Sequence, residues 1–167
     1  MPRCTAVHFK APMVLLTLLL AGCSALSPYS NVTKLDLTLS ASDQVNPDVH
    51  GRASPVVIRL LELKHPVAFE NADFFSVYER ADSVLAQDLL ISEELELRPG
   101  ETVSHKLSVA PVSRYVGVLA AYRDLPQTRW RYVITLSPEQ ITQAHLVLDQ
   151  TGIRRADDVN PDAGDEA

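Results

Sequence analysis

Pro55–Leu63 reads PVVIRLLEL. Apart from Arg59 and Glu62 the run is apolar, and it is rich in β-branched side chains. A strand with one wet face alternates apolar and polar residues, whereas one covered on both faces is near-continuously apolar. The run therefore reads as an interior strand. Arg59 is its oddity, a charge that snorkels or pairs with a nearby acid such as Glu62. An interior strand needs neighbours beside it and layers above and below it.

The rest of the chain supplies them. Upstream, Leu35, Leu37 and Leu39 alternate with Asp36, Thr38 and Ser40, the period of a half-buried strand. Downstream, Tyr115–Tyr122, YVGVLAAY, is small and apolar on both faces and reads as a second central strand. Glu94–Arg98, Val103–Val109, Trp130–Leu136 and Ala144–Leu148 are further strands. The turns Arg98-Pro99-Gly100-Glu101, Asp124-Leu125-Pro126-Gln127 and Ser137-Pro138-Glu139-Gln140 separate them, with Pro presetting φ and Gly supplying positive φ. The pattern breaks between about residues 66 and 91. There Val67, Phe69 and Ala72 suggest a helical turn, Asp73 is a helix cap, and Phe74, Val77 and Tyr78 share a helical face. A second short segment is expected from Asp82 or Ser83 to Leu89. The sum is an all-β-dominated β-sandwich of about seven to eight strands with a small helical insertion.

The first 22 residues read as a signal peptide. Arg3 and Lys10 precede Ala11–Ala21, APMVLLTLLLA, a run well short of the roughly 20 apolar residues a membrane span needs. It ends in Leu20-Ala21-Gly22-Cys23, a sequence that resembles the bacterial lipobox, in which the cysteine is acylated. Cys4 leaves with the signal peptide, so Cys23 is the mature chain's only cysteine and no intramolecular disulfide can form. One acyl chain holds a protein to a membrane only marginally, at about 0.8 kcal/mol per buried CH₂, and the three chains of a lipobox cysteine exceed that need. Ser24 follows, not the aspartate that retains lipoproteins in the inner membrane. The expected address is the outer membrane, with the domain facing the periplasm. Residues 23–33 read as the lipidated cysteine and a flexible tether, residues 34–153 as the sandwich, and residues 154–167 as an acidic disordered tail.

The net charge of −6 leaves no basic footprint for nucleic acid. His50, His65, His105 and His145 show no metal-ligand spacing, and no nucleophile elbow or phosphate-cradling glycine loop occurs. Neither a cofactor nor catalysis is expected. Arg123, beside the apolar YVGVLAAY, is expected to snorkel or to pair with a nearby acid such as Asp124.

One segment is out of proportion. SDQVNPDVHGRASP, Ser42–Pro55, joins two strands that a much shorter turn would connect. Structureless loops beyond about 12 residues are uncommon unless they are functional or disordered. The absence of a catalytic constellation favours binding over chemistry as the loop's purpose.

Several spaced motifs then look familiar together. They are the lipobox, Asn46-Pro47, the run from Gly51 through PVVIRLLEL, Ala68-Phe69, Ala72-Asp73-Phe74-Phe75, Arg114 through Asp124, and Trp130-Arg131. Their order resembles the TssJ (SciN) family, the outer-membrane lipoproteins of type VI secretion systems, over most of residues 20–150. Tyr122 stands where the family pattern has phenylalanine, and the acidic tail has no counterpart. The resemblance implies a transthyretin-like sandwich and a structural role. It implies binding to the periplasmic C-terminal region of the inner-membrane protein TssM, and through it an indirect link to TssL. It also assigns the TssM contact to the loop between the first two strands, here Asp43–Ser54. The candidate contact residues are Asp43, Gln44, Val45, Asn46, Pro47, Asp48, Val49, His50, Gly51 and Arg52. Val45 and Val49 are the apolar candidates, and Asp43, Asp48 and Arg52 the charges that set register. The alternatives are a pilotin-like lipoprotein chaperone, which needs a hydrophobic groove for a partner helix, and a periplasmic enzyme or ligand binder, which needs a pocket with convergent titratable groups.

Overall fold

A computed structural model describes residues 32–159. The signal peptide, Cys23, most of the expected tether and residues 160–167 of the expected tail lie outside the described residues. The elements in chain order are β1 (Lys34–Ala41), β2 (Val56–Leu63), α1 (Val67–Asn71), α2 (Phe74–Val84), β3 (Leu89–Leu97), β4 (Thr102–Ser108), β5 (Tyr115–Ala120), β6 (Arg131–Thr135), β7 (Ile141–Asp149) and β8 (Gly152–Arg155). They form two four-stranded sheets, ordered β4-β1-β7-β8 and β3-β2-β5-β6. All neighbouring strands are antiparallel except β1 and β7, which are parallel. The strands stack as the expected sandwich.

The near-continuous apolarity of β2 has a simple cause: it is covered twice. Ile58 and Leu60 face the inter-sheet core with Leu35, Leu37 and Leu39 of β1, Val116 and Val118 of β5, and Leu146 and Leu148 of β7. Leu61 and Leu63 face the other way, under Phe69 of α1 and Phe74, Val77 and Ala81 of α2. The helical insertion is thus a third layer on one sheet. Asp73 caps α2 as expected, accepting from the Ser76 N–H at 3.0 Å.

Gly117 sits between these layers. It pairs with Leu61 on β2, and a Cβ at this position would lie 3.0 Å from the Phe69 ring. The sheet therefore has no room for a side chain beneath α1. Gly117→Val is expected to push Phe69 outward and to destabilise the domain by about 1–3 kcal/mol, as overpacking typically does. Chemical denaturation of the soluble domain measures it.

Three boundaries and one ion pair differ from the sequence reading. The insertion stops before residue 91, because β3 begins at Leu89 and pairs with the far end of β2 at Leu63. The second short segment follows a kink at Arg80 and ends at Val84, earlier than the expected Leu89. Arg154 and Arg155 belong to β8, a short strand hidden by its arginines and its position after the turn at Gly152. Arg59 pairs with Glu94 at 2.7 Å rather than Glu62, since β2–β3 register sets those two residues opposite each other. Its guanidinium also lies 4.5 Å from the Tyr78 ring centroid and donates to the Tyr78 carbonyl.

Glu62 does different work. It points into the sandwich, is only 3% exposed, and accepts from the Ala110 N–H and the Ser113 hydroxyl. A buried carboxylate held by two donors fixes the segment between β4 and β5 to the end of β2.

The strand directions give the sandwich two poles. At one, β1 enters at Lys34, opposite Ser108 and Ile141. β2 ends there at Leu63, opposite Tyr115. Backbone bonds from Val109 to Thr33, in one sheet, and from Arg114 to Leu63 and Leu136 to Arg114, in the other, extend the strand pairing at this end. At the other pole lie the β1–β2 loop, the β3–β4 turn, the β5–β6 connection and the β7–β8 turn. The long loop is therefore presented at the end opposite to the one where the chain enters.

The β1–β2 loop as candidate functional site

The loop between β1 and β2 is closed by its own backbone rather than left slack. Ser54 N–H donates to the Val45 carbonyl at 3.1 Å, and Asp48 N–H donates to the Arg52 carbonyl at 2.8 Å. These rungs divide it into a base and a tip.

The base is part of the domain. Val45 is fully buried in the inter-sheet core. Asn46 is 3% exposed and takes a left-handed backbone with φ 47°. Its amide Nδ2 donates to the Pro55 carbonyl at 2.7 Å, and its Oδ1 accepts the Arg123 N–H at 2.8 Å. One side chain thus ties the loop's return to the segment after β5. Asparagine suits the position because it tolerates left-handed backbone and carries both a donor and an acceptor. Asp43 and Gln44 are exposed at the start of the loop, with Asp43 set against Gly100 of the β3–β4 turn, where a Cβ would fall 2.6 Å from its Oδ1.

The tip is an Asx-locked turn. Asp48 accepts from the His50 and Arg52 N–H groups at 2.8 and 3.0 Å, and from the Arg52 guanidinium at 2.8 and 2.7 Å. Gly51 supplies the positive φ, 75°, that closes it. Hydrogen bonds from Arg52, first its backbone and then its side chain, hold the Asp48 carboxyl below its ordinary value. A depressed carboxylate contributes order that is present above its ordinary pKa and is lost as pH falls through the lowered value. The carboxylate's contribution to the turn is therefore present at neutral pH and is lost only as pH falls through its lowered pKa. Asp48→Ala is expected to speed amide exchange at His50 and Arg52 with little change in melting temperature. Unchanged protection at those amides would show that the carboxylate does not lock the turn.

The ten residues singled out in the sequence thus separate by exposure. Val49 is 95% exposed at the summit of the tip, with His50, Gly51 and Arg52 exposed beside it. Val45 and Asn46 hold the loop from below, so Val49 is the apolar side chain the loop offers.

Sequence reading missed the facing wall. A cleft of about 650 Å³ separates the loop from Arg123, Asp124, Thr128 and Gln150. Arg123 does not pair with Asp124; its charge acts on Asp48 across the cleft. The only signal for this wall in the sequence was Arg123, a charge beside an apolar run. Tyr122 lies under the cleft with its hydroxyl buried and without a hydrogen-bond partner among the described residues. Burial first, and then the Asp149 carboxylate, push its phenol far above the ordinary value. It stays neutral. Asp149 belongs to the turn that closes this pole: burial acts to raise its pKa, but hydrogen bonds from Thr151 and Arg154 hold it below the usual value.

The family described as T6SS-SciN: Type VI secretion lipoprotein, VasD, EvfM, TssJ, VC_A0113 matches residues 33–151. Among solved structures, the chain is similar to the T6SS lipoprotein TssJ1 from Pseudomonas aeruginosa at 34% identity and a TM-score of 0.72, covering 74% of this chain and 94% of that one. It is similar to Serratia marcescens Lip, a membrane bound component of the Type VI Secretion System, at 32% identity and a TM-score of 0.69, covering 74% and 97%. A chain in the structure of the T6SS protein TssM C-terminal domain from EAEC shares the fold at 24% identity and a TM-score of 0.62, covering 72% and 98%. No curated protein matches.

Proposed function

This chain belongs to the type VI secretion lipoprotein family of TssJ, and from that membership we propose that it anchors the type VI membrane complex to the outer membrane by binding the periplasmic C-terminal region of TssM. TssL joins the complex through TssM. Acylated Cys23 is the anchor, and the β1–β2 loop is the contact.

The observation that carries the reading is the loop's construction. Its base is buried in the core, its tip is locked by Asp48, and it exposes Val49 at the pole opposite chain entry. A loop that is already ordered loses less freedom when a partner arrives, so more of its contact energy remains as affinity. The cleft beside it is lined by Arg52, Asp48, Arg123 and Asp124, which suits a polar rim better than the apolar groove a pilotin would need for a partner helix.

Two experiments test this function. The soluble domain, residues 24–167, is expected to co-purify with periplasmic TssM from the same genome. Failure under conditions where both are folded would remove the partner. In cells, Cys23→Ser is expected to keep the domain folded but release it from outer-membrane fractions. Sedimentation of that variant with the outer membrane would show that the acyl anchor is not the main tether.

A further inference from the structure

The pole where the chain enters carries an unusual turn. Solvent-exposed turns are normally built from Gly, Pro, Asn, Asp and Ser, so Pro111 and Ser113 fit the rule and Val112 does not. Here the β4–β5 connection turns on Ala110-Pro111-Val112-Ser113, and Val112 at its tip is 53% exposed. The turn is rigid. Ser113 N–H donates to the Ala110 carbonyl at 2.9 Å, and the Arg114 guanidinium donates to the Pro111 and Ser113 carbonyls at 2.9 and 2.8 Å. Beneath it Glu62 receives the Ala110 N–H and the Ser113 hydroxyl at 3.0 and 2.8 Å. A buried carboxylate is costly unless well bonded. It is used here to hold a turn whose tip is a valine in water.

Two more apolar side chains share this end. Ile141 is 58% exposed where β7 begins, directly opposite Lys34 in the β1–β7 register. Val32 is 42% exposed just before β1. The preceding connection is braced as well: Glu139 N–H donates to the Thr33 hydroxyl at 2.9 Å and Lys34 N–H to the Gln140 carbonyl at 3.0 Å. Lys34, Lys64 and Arg114 stand at this pole against Glu139 and Asp88, and His65 already engages Asp88 at 2.9 Å. Exposed apolar tips with cations beside them are the composition of a surface that can sit in a lipid headgroup layer.

The chain's connectivity says which surface is within reach. Only Ser24–Thr33 separate Cys23 from β1. Fully extended at about 3.3–3.6 Å per residue, that segment spans at most about 35 Å. An eight-residue strand alone is about 27 Å long, so the loop pole reaches the membrane only if the segment runs taut along the whole sandwich. The entry pole reaches it with the segment slack.

We propose that the entry pole is a second, non-covalent membrane contact, in which Val112, Ile141 and Val32 insert at the phospholipid headgroup boundary and Lys34, Lys64 and Arg114 meet lipid phosphates. This rests on the lipidation of Cys23. The contact stands the sandwich on end, with the β1–β2 loop directed away from the bilayer, where a partner spanning from the opposite membrane would arrive.

The test uses the full-length acylated protein in vesicles of phosphatidylethanolamine and phosphatidylglycerol. An environment-sensitive fluorophore is attached to Val112→Cys, Ile141→Cys or, at the opposite pole, Val49→Cys, and quenching by brominated phospholipid is read. Quenching several-fold stronger at 112 and 141 than at 49 is expected. Val112→Asp with Ile141→Asp is expected to remove most of the quenching of a probe on Ser108→Cys while the acyl anchor keeps the protein on the vesicle. Equal quenching at both poles, or a Ser108→Cys signal untouched by the two aspartates, overturns the proposal while leaving the lipoprotein reading intact. Protection of the probe at 112 by TssM in place of lipid also overturns it. A mass spectrum showing unmodified Cys23 overturns the acyl anchor and this contact together.

Discussion

Replacing Asp48–Arg52 with a two-glycine link is expected to abolish capture of periplasmic TssM and to leave the domain's stability within about 0.5 kcal/mol of the original, the usual range for surface changes away from structural features. The variant follows from the geometry. Asp48 N–H and the Arg52 carbonyl face each other at 2.8 Å, so two glycines span the gap once the tip is gone. Val45 stays in the core, and Asn46 keeps both of its bonds. Excising all of Asp43–Ser54 would be a poorer experiment, because it withdraws buried Val45 at about 1.5–3 kcal/mol and confuses binding with stability. The expected loss is large because interfaces concentrate energy in a few central side chains. Removing one such anchor costs at least about 2 kcal/mol, or roughly thirtyfold in affinity. Val49 is the tip's only exposed large apolar residue. Val49→Asp alone should show much of the same loss in a titration of the soluble domain with TssM. Undiminished binding by the glycine-linked variant would move the contact elsewhere on this pole.

The contrast between Val45 and Val49 shows where sequence reading stops. Both are valines in one polar loop, four residues apart, and nothing in their neighbours separates a core residue from a summit residue. Burial there depends on the Val45–Ser54 rung, and Asn46 reaches across to Arg123, 77 residues away in the chain. Periodicity carries no such long-range information. It did carry the sandwich: alternation in β1 and near-continuous apolarity in β2 and β5 follow from how many faces of each strand are covered. The loop was legible as an anomaly of length. Its facing wall, Arg123 to Thr128 with Gln150, was not, because three separate connections meet there only after the sheets stack. The same limit explains Arg59. Glu62 is near in sequence, but adjacent strand register placed Glu94 opposite and left Glu62 to brace the other pole. β8 was invisible for a local reason, since its short arginine-bearing sequence has no strand signature until Gly152 turns it back on β7.

Asn46→Ala is expected to destabilise the domain by about 2–4 kcal/mol and to weaken TssM binding at the same time. Two effects combine. The Pro55 carbonyl and Arg123 N–H lose partners in a part-buried site, and an unsatisfied buried polar group costs about 1–3 kcal/mol. Alanine must also hold φ near 47°, a left-handed conformation that costs about 1–2 kcal/mol for a residue with a Cβ. Partial relaxation of the loop keeps the total below the sum. For a domain of this size the melting temperature should fall by roughly 10 °C. Asn46→Gly separates the two effects: it relieves the backbone but restores neither hydrogen bond, so it should recover about 1 kcal/mol of the loss. Binding weakens because the tip rides on this base. Once the base loosens, the partner must order the loop before contacting Val49, and that ordering is subtracted from affinity. The pattern across variants is diagnostic: Val49→Asp lowers affinity without lowering the melting temperature, whereas Asn46→Ala lowers both. If Asn46→Ala melts with the original domain, the loop is not held by that side chain, and its order comes from the Asp48 turn alone.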